Sequence, residues 1–386
     1  MKAKYLILLS VICAGMTACT REPAPKGPET GLVLHFDPTV PPSPGTRQTV
    51  FGDASGKMPN RSSYGLFICE SGNPYQEYLS GYNNIRAYRD GSGKWGYTYG
   101  IYSGFPTLLL LPQDKDGDGI KDHDADIFAY APWQETVTTP ESVPFSVESA
   151  VDVMYAAENG SATTNKGIDP AADGRITSGA DGFRHLDVPL TFTHALSLLV
   201  FDFTLRNDEY NHPMGNSQAN PYVLDYIRVI RKEGGHPLYV SGTMDAMAGG
   251  TLAGLVPAAE NRMTLTGKTL RQHYEDKERS EASLRVYPAP NQLEPARAYI
   301  LQVPSQAGET YADGDYTFEF GFSGQDFPVT FTLLESHLKQ AGEASFQGFQ
   351  PGYKYTFHLK IDNYVHFEGL TISGWDSVEE PFQTEI

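Results

Sequence analysis

The sequence of 386 residues has only three cysteines, Cys13, Cys19 and Cys69. It is also poor in positive charge, because 29 Lys and Arg stand against 47 Asp and Glu and the formal net charge is −18. A chain this acidic repels nucleic acid and anionic membrane surfaces, and we expect neither as a partner. Beyond the N-terminal segment, no apolar run approaches the roughly 20 residues of a membrane-spanning helix. The sequence does have 20 Phe and 23 Tyr, enough to build an apolar core.

Motifs of catalysis are also missing. The chain has no Gly-x-Ser-x-Gly turn, no His-Glu-x-x-His pair and no phosphate-binding glycine loop, and we expect no enzymatic activity. The ten histidines are dispersed. His194 lies in a run of alternating apolar residues, where we expect a hydrogen-bonded core histidine. Cys69 ends a strand-like run, and we expect a buried structural thiol there.

The N-terminus is typical of an exported lipoprotein. Lys2 and Lys4 precede an apolar run from Leu6 to Met16, and two small residues precede Cys19. This order predicts a signal peptide over residues 1–18. It resembles a bacterial lipoprotein signal, which implies a lipid on Cys19 and anchoring in the outer membrane. An ordinary secretory signal with a chance cysteine is the alternative.

Once residues 1–18 are removed and Cys19 is lipidated, Cys69 alone remains, and no intramolecular disulfide can form. Residues 19–30 are rich in proline and predict a lipid-anchored linker.

The remainder of the chain predicts an all-β protein of two domains. A first strand over residues 32–36 places Leu32, Leu34 and Phe36 on one face. The proline-rich residues 37–63 predict a protease-accessible loop. A stretch rich in Gly, Asp, Ser and Thr before residue 186 separates an N-terminal β-sandwich (31–185) from a C-terminal one (186–386). Later strand-like runs include 85–89, 188–205, 222–231, 316–322 and 353–361, and one helix is predicted over 333–341.

Five segments together resemble the fimbrillin family of Bacteroidetes pilus lipoproteins, the Mfa-like or type V pilins. They are residues 126–133, 151–156, 188–197, 349–356 and 372–375. The resemblance implies two tandem transthyretin-like β-sandwich domains. It also implies a fimbrial subunit at the cell surface that serves cell adhesion and has other fimbrial subunits as partners.

The resemblance further implies assembly by proteolysis and donor-strand exchange. In the family, a trypsin-like protease cuts the loop after the first strand, and a strand of the next subunit fills the groove. Arg47 is the best-placed cleavage residue, with Lys57 and Arg61 as competitors. An ordinary edge strand followed by a loop that is never cut is the alternative. Pro381 in the C-terminal segment cannot donate a ladder hydrogen bond, which favours a tip or accessory subunit over a repeating one.

One acidic stretch has the spacing of a calcium loop. Asp at loop positions 1, 3, 5 and 9 with Gly at position 6 directs hard oxygen ligands to one ion. Position 12 departs from this pattern because it is Ala125, and Asp126 would have to close the loop. A hydrated acidic hairpin tip is the alternative. The predicted Ca²⁺ ligands are Asp114, Asp116, Asp118, Ile120, Asp122 and Asp126.

A second functional class stays open. The Tyr-rich stretch from Tyr75 to Tyr102 could form an aromatic surface that binds a glycan or a host protein. The protein would then be a surface lipoprotein that does not polymerise. These tyrosines are also ordinary strand residues.

Overall fold

The structure is a computed structural model. It describes residues 31–39, 62–99, 102–112, 124–149, 152–157, 165–170, 173–205, 222–266, 272–273, 284–286, 296–309, 311–323, 327–340, 348–361 and 364–375. Nearly all of the regular secondary structure among the described residues is β-strand, so the all-β prediction is confirmed. The transthyretin-like form of the two domains stays a prediction. No helix among the described residues is long and apolar enough to cross a membrane.

The described residues of the N-terminal part form twelve strands and one 3₁₀ turn (Val147–Ser149). The strands are β1 (Leu32–Thr39), β2 (Ser63–Glu70), β3 (Asn73–Glu77), β4 (Ile85–Arg89), β5 (Trp95–Tyr99), β6 (Tyr102–Phe105), β7 (Leu108–Leu110), β8 (Ala125–Ala131), β9 (Val143–Ser146), β10 (Met154–Ala157), β11 (Thr177–Ser178) and β12 (Arg184–His194).

Eleven of these strands form one sheet in the order β6-β5-β4-β2-β8-β10-β12-β1-β7, with β3 paired to β2 and β11 paired to β12. The strands at the two ends of this order, β6 and β7, are joined by residues 106 and 107 alone. Three residue steps span at most about 11 Å, so the sheet folds back until its two ends are close together. Side chains of its inner face, among them Tyr64, Leu66 and Phe192, form a buried core.

In the C-terminal part, the residues that the structure describes form twelve strands, a 3₁₀ turn (Ala259–Asn261) and the helix α1 (Glu335–Gln340). Its strands are β13 (Ser197–Leu205), β14 (Tyr222–Arg231), β15 (Tyr239–Asp245), β16 (Thr251–Pro257), β17 (Arg262–Thr266), β18 (Gln272–His273), β19 (Leu284–Val286), β20 (Ala296–Gln302), β21 (Tyr316–Phe322), β22 (Val329–Thr332), β23 (Tyr353–Ile361) and β24 (Val365–Gly374).

Two of the C-terminal sheets face each other across an aromatic core. One has the order β18-β20-β13-β23-β24, and the other has the order β17-β14-β21-β22 with β19 paired to β14. Phe201 of the first sheet meets Phe318 and Phe320 of the second, with ring centroids 5.0 and 5.2 Å apart. Such edge-to-face pairs stabilise the packing of the two sheets by more than the burial of their area alone.

A third sheet ties the two parts of the chain together. Its order is β16-β15-β9, so a strand from the N-terminal part pairs with a hairpin from the C-terminal part. A Cβ at Gly242 in β15 would lie 2.8 Å from the Ala253 carbonyl oxygen and 3.2 Å from the Phe145 ring, so this pairing requires glycine. Phe67, Phe128 and related side chains on the outer faces of β2 and β8 join the same core as the C-terminal sheets.

The run predicted over 188–205 is two strands that belong to different sheets. β12 ends at His194 and β13 begins at Ser197. The break is held from both sides, because the Ala195 N–H donates to the Val153 carbonyl and the Gly352 N–H donates to the Leu196 carbonyl, both at 2.9 Å. The boundary predicted between residues 185 and 186 falls inside β12, which pairs along its whole length within the N-terminal sheet.

Candidate functional site at the first strand

The first strand, β1, is an interior strand of the N-terminal sheet. It pairs in parallel with β12 over eight residues, from Leu32 opposite Arg184 to Thr39 opposite Thr191. On its other side it pairs antiparallel with β7, with Leu32 opposite Leu110 and Leu34 opposite Leu108. Among the described strands, β7 has no partner other than β1. Removing β1 would therefore expose one side of β12 and leave β7 without a strand neighbour.

The apolar face of β1 is buried as its period-two pattern predicts. Leu32, Leu34 and Phe36 are 0%, 1% and 7% exposed, and all three belong to the N-terminal core. Phe36 packs against Tyr97 with ring centroids 5.9 Å apart. Burying each such side chain contributes about 1.5–3 kcal/mol. The strand thus fills a long apolar trough that would be costly to leave open to water.

β7, which borders this trough on one side, is held in place by two tyrosines. Tyr82 donates its hydroxyl hydrogen to the Leu109 carbonyl at 2.6 Å, and Tyr78 donates to the Leu111 carbonyl at 3.0 Å. Both tyrosines are nearly fully buried, and burial raises the pKa of Tyr82 to about 12. Because these bonds do not involve β1, they hold the β7 segment independently of that strand.

The solvent-facing side of β1 carries a polar contact to β12. His35 Nε2 lies 2.7 Å from His185 Nδ1, and the two rings are nearly parallel at 14°. His185 Nε2 in turn lies 2.8 Å from Asp181 Oδ1 in the turn that precedes β12. The hydrogen bond from His185 holds the pKa of the Asp181 carboxyl below its usual range. This chain of three side chains was not predicted, because the strands that carry it are 150 residues apart in sequence.

Most of the other predicted site residues lie outside the described residues. These are the lipidation residue Cys19, the cleavage candidates Arg47, Lys57 and Arg61, and the calcium ligands Asp114, Asp116, Asp118, Ile120 and Asp122. Lipidation, cleavage and calcium binding therefore stay predictions. Within the part of the chain that the structure describes, no group of three His, Cys, Asp or Glu could hold a metal ion.

The one predicted calcium ligand that is described, Asp126, has a structural task of its own. It is 8% exposed, its Oδ1 accepts the Gly167 N–H at 2.8 Å, and its Oδ2 accepts the Gly72 N–H at 3.2 Å. Both oxygens therefore bind backbone amides and pin two loops to the start of β8. A calcium ion bound by Asp126 would have to share these oxygens with the two amides.

Two core predictions are confirmed. Cys69 is 3% exposed, its thiol donates to the Pro74 carbonyl at 3.1 Å, and burial raises its pKa to about 12. His194 is fully buried, and its Nδ1 is hydrogen-bonded to Asp152. Its ring stacks on Trp375 with centroids 3.8 Å apart. No local pattern predicted that Asp152 and Trp375 would contact His194.

The Tyr-rich stretch supplies core rather than a continuous aromatic surface. Tyr78, Tyr82 and Tyr97 are 1%, 4% and 3% exposed. Tyr75 is 66% exposed, but both Glu141 oxygens lie 2.5 Å from its hydroxyl. The described part of the stretch therefore offers one exposed tyrosine, not an aromatic face.

Several solved structures are similar to the chain. A candidate cell adhesion protein from Bacteroides uniformis ATCC 8492 has 14% identity and a TM-score of 0.49, with 91% of this chain and 99% of that chain covered. A fimbrial protein from Bacteroides vulgatus ATCC 8482 has 16% identity and a TM-score of 0.47, with 89% and 99% covered. The C-terminally truncated tip fimbrial protein Mfa3 from Porphyromonas gingivalis has 10% identity and a TM-score of 0.36, with 82% and 95% covered.

Among curated proteins, none matches the chain. The fimbrillin-like family model matches residues 120–375, which is most of the sequence, and the chain belongs to this family.

Proposed function

We propose that the protein is a fimbrial subunit of the tip or accessory type, exported as a lipoprotein on Cys19. Proteolysis at Arg47 or Arg61 then removes β1, and a strand of a neighbouring subunit takes its place. Membership of the fimbrillin-like family supports a structural rather than an enzymatic role, at the cell surface with other fimbrial subunits as partners. The assembled fimbria would serve adhesion to host protein or glycan.

The observation that carries this proposal is the position of β1. It lies between β12 and β7 with three large apolar side chains buried. A sheet that loses an interior strand exposes unpaired N–H and C=O groups on both flanks together with an apolar trough. Such a site is avid for any strand of matching pattern, which is how β-augmentation joins two chains.

The alternative is a surface lipoprotein that binds glycan or host protein without polymerising. It relied on an aromatic surface between Tyr75 and Tyr102, and the burial of Tyr78, Tyr82 and Tyr97 weakens that support. The two functions differ in whether β1 must leave.

A disulfide that locks β1 in place tests the proposal. His35 and Asp187 are register partners on the exposed face of neighbouring strands. Strands about 4.8 Å apart suit a disulfide, which would form in an oxidising surface compartment. The double variant His35→Cys with Asp187→Cys should stay out of sheared fimbriae in the native organism, while each single variant is incorporated.

Incorporation of the locked protein at the wild-type level would contradict strand removal. Mass spectrometry of the surface protein must show the disulfide for that result to count. The two single variants are the matched control for the loss of His35 and Asp187 themselves.

A further inference from the structure

β12 lines the groove that would open if β1 left, and its solvent-facing side carries a fixed hydrogen-bond acceptor, His185 Nδ1. Asp181 is a carboxylate whose pKa is lowered by the bond from His185, so its oxygen accepts and His185 Nε2 carries the hydrogen. In the neutral imidazole, Nδ1 is then the acceptor. His35 Nε2, 2.7 Å away, must donate to it. The tautomer of His185 is thereby set by the body of the protein and not by β1.

This acceptor stays in place when β1 leaves. His185 belongs to β12, and Asp181 sits in a turn closed by the Gly179 N–H bonding to the Phe183 carbonyl at 2.8 Å. Asp181 Oδ1 also accepts the Phe183 N–H at 3.1 Å, which fixes the carboxylate in the turn. The side chain of His185 is 18% exposed, so water can satisfy Nδ1 in an open groove.

We propose that His185, oriented by Asp181, selects the strand that fills the groove by requiring a hydrogen-bond donor at the position of His35. This inference rests on the proposed strand exchange and adds the chemistry of the partner strand. An apolar side chain at that position would displace the water and leave Nδ1 without a donor, which costs affinity. An acidic side chain would bring no donor and would lie beside the charge of Asp187, its register partner on β12.

The apolar face of β1 completes the pattern of the partner strand. The sites of Leu32 and Leu34 are fully enclosed, and the site of Phe36 ends against the Tyr97 ring. Val33 is 5% exposed, so its site is enclosed as well. The partner is therefore a segment of a neighbouring subunit that has apolar residues at the first three positions, then a hydrogen-bond donor, then an aromatic residue. The donor is His, Gln, Asn, Lys or Arg, since these side chains carry N–H groups on a stem of sufficient length.

Peptide competition in the cut protein tests this selection. A specific protease site is placed in the loop between residues 40 and 61 of the chain that starts at residue 20, and the cut protein is incubated with labelled peptides of the sequence 31–39. Position 35 of the peptide is His, Gln, Leu or Glu. The His and Gln peptides should bind alike, and the Leu peptide should bind about threefold to tenfold more weakly, as expected for one hydrogen bond. The Glu peptide should bind most weakly.

The variant Asp181→Asn is the matched control. It keeps the size of the side chain but removes the fixed charge that sets the tautomer of His185, so the preference for His over Leu should disappear. Equal binding of the His and Leu peptides to the unmodified groove would overturn the selection while leaving strand exchange intact. Failure of the native peptide itself to bind would instead count against strand exchange, and the inference would fall with it.

A measurement on the uncut protein does not depend on exchange. Thermal unfolding of His35→Leu, His185→Leu and the double variant forms a double-mutant cycle. The double variant should be more stable than the sum of the two single losses predicts. Strictly additive losses of stability would contradict a selective contact between the two side chains, regardless of the result of the peptide-binding experiment.

Discussion

At the scale of single residues, the junction of the two parts depends on three buried side chains from distant points of the chain. Asp152 precedes β10, His194 ends β12 and Trp375 follows β24, and they are 3%, 0% and 4% exposed. Burial raises the pKa of Asp152, and the bond from His194 opposes that shift. A buried carboxylate is tolerated only while its hydrogen-bond partner is present.

Replacing His194 should therefore be among the most damaging single changes. His194→Ala leaves Asp152 buried without its partner and removes the ring stacked on Trp375, so we expect a loss of about 3–5 kcal/mol in the free energy of unfolding, measured by urea denaturation. The control Asp152→Asn keeps a hydrogen-bonding side chain of the same size and should cost less. A loss below about 1 kcal/mol for His194→Ala would show that the pair does not hold the junction.

Cys69 makes the fold sensitive to alkali. Its pKa is raised to about 12 from the ordinary thiol value of 9.0, chiefly by burial and then by Asp126 and Glu77. Between these two values the unfolded chain has lost the proton that the folded chain keeps, so stability falls as pH rises above about 9. Burial acts in the same direction on Tyr82 and Tyr97, because it raises the pKa of each to about 12 from the ordinary tyrosine value of 10.0.

We expect the urea midpoint to fall between about pH 8 and about pH 10.5. The variant Cys69→Ala should show a smaller fall over the same range, because only the tyrosines then contribute. An equal fall in both proteins would exclude Cys69 as a source of the pH dependence.

At the scale of strands, the local sequence pattern was enough to predict the bounds of several strands that bury one face. The predicted runs 85–89, 222–231, 316–322 and 353–361 coincide with β4, β14, β21 and β23, because alternation records which side chains enter a core. The helix predicted over 333–341 is shorter, at Glu335–Gln340. The sequence did not indicate the break between β12 and β13. Both strands are apolar, and the two residues of the break, Ala195 and Leu196, are also apolar and buried.

Pairing between distant strands could not be predicted in the same way. The apolar face of β1 was readable from Leu32, Leu34 and Phe36. The contact of His35 with His185 depends on the register of two parallel strands. These two residues are 150 positions apart in sequence, and no local pattern encodes that register. The pairing of β9 with β15 was missed for the same reason.

The burial of β1 makes a direct prediction for stability. Leu34→Ala removes a side chain that is 1% exposed, and we expect a loss of about 2–5 kcal/mol in the free energy of unfolding. Leu109→Ala on the neighbouring strand β7 is the matched control, because that side chain is 38% exposed and its loss should cost about 0.5 kcal/mol or less. Equal losses in the two variants would mean that β1 does not fill the core as the structure has it.

The acidic stretch that precedes β8 in sequence has a prediction of its own. If it holds Ca²⁺ with the weak affinity of extracellular sites, millimolar calcium should raise the melting temperature. Asp116→Ala with Asp118→Ala should abolish that rise, and removing two charges elsewhere, by Glu233→Ala with Glu368→Ala, should not. Identical melting of the wild-type protein in calcium and in chelator would remove the case for a calcium site.

At the scale of the whole molecule, the two parts of the chain are joined by strands, a shared core and the buried junction, whereas β1 stands apart from this connection. It enters the sheet before the predicted loop that contains Arg47, Lys57 and Arg61, and its side chains Leu32, Leu34 and Phe36 belong to the N-terminal core. A single cut in that loop would free it from the chain without breaking any other strand connection. Under the proposed function, β1 would be replaced by a strand of a neighbouring subunit while the other strands keep their chain connections.

Sequencing the N-terminus of the protein in sheared fimbriae tests whether β1 is removed. We predict that the surface form begins at Gln48, Met58 or Ser62, just after Arg47, Lys57 or Arg61, and lacks residues 31–39. Fimbriae from an Arg47→Ala variant should carry the protein with a shifted start if Arg47 is the residue that is cut. A surface form that begins at a lipidated Cys19 and retains Leu32, Leu34 and Phe36 would contradict strand removal.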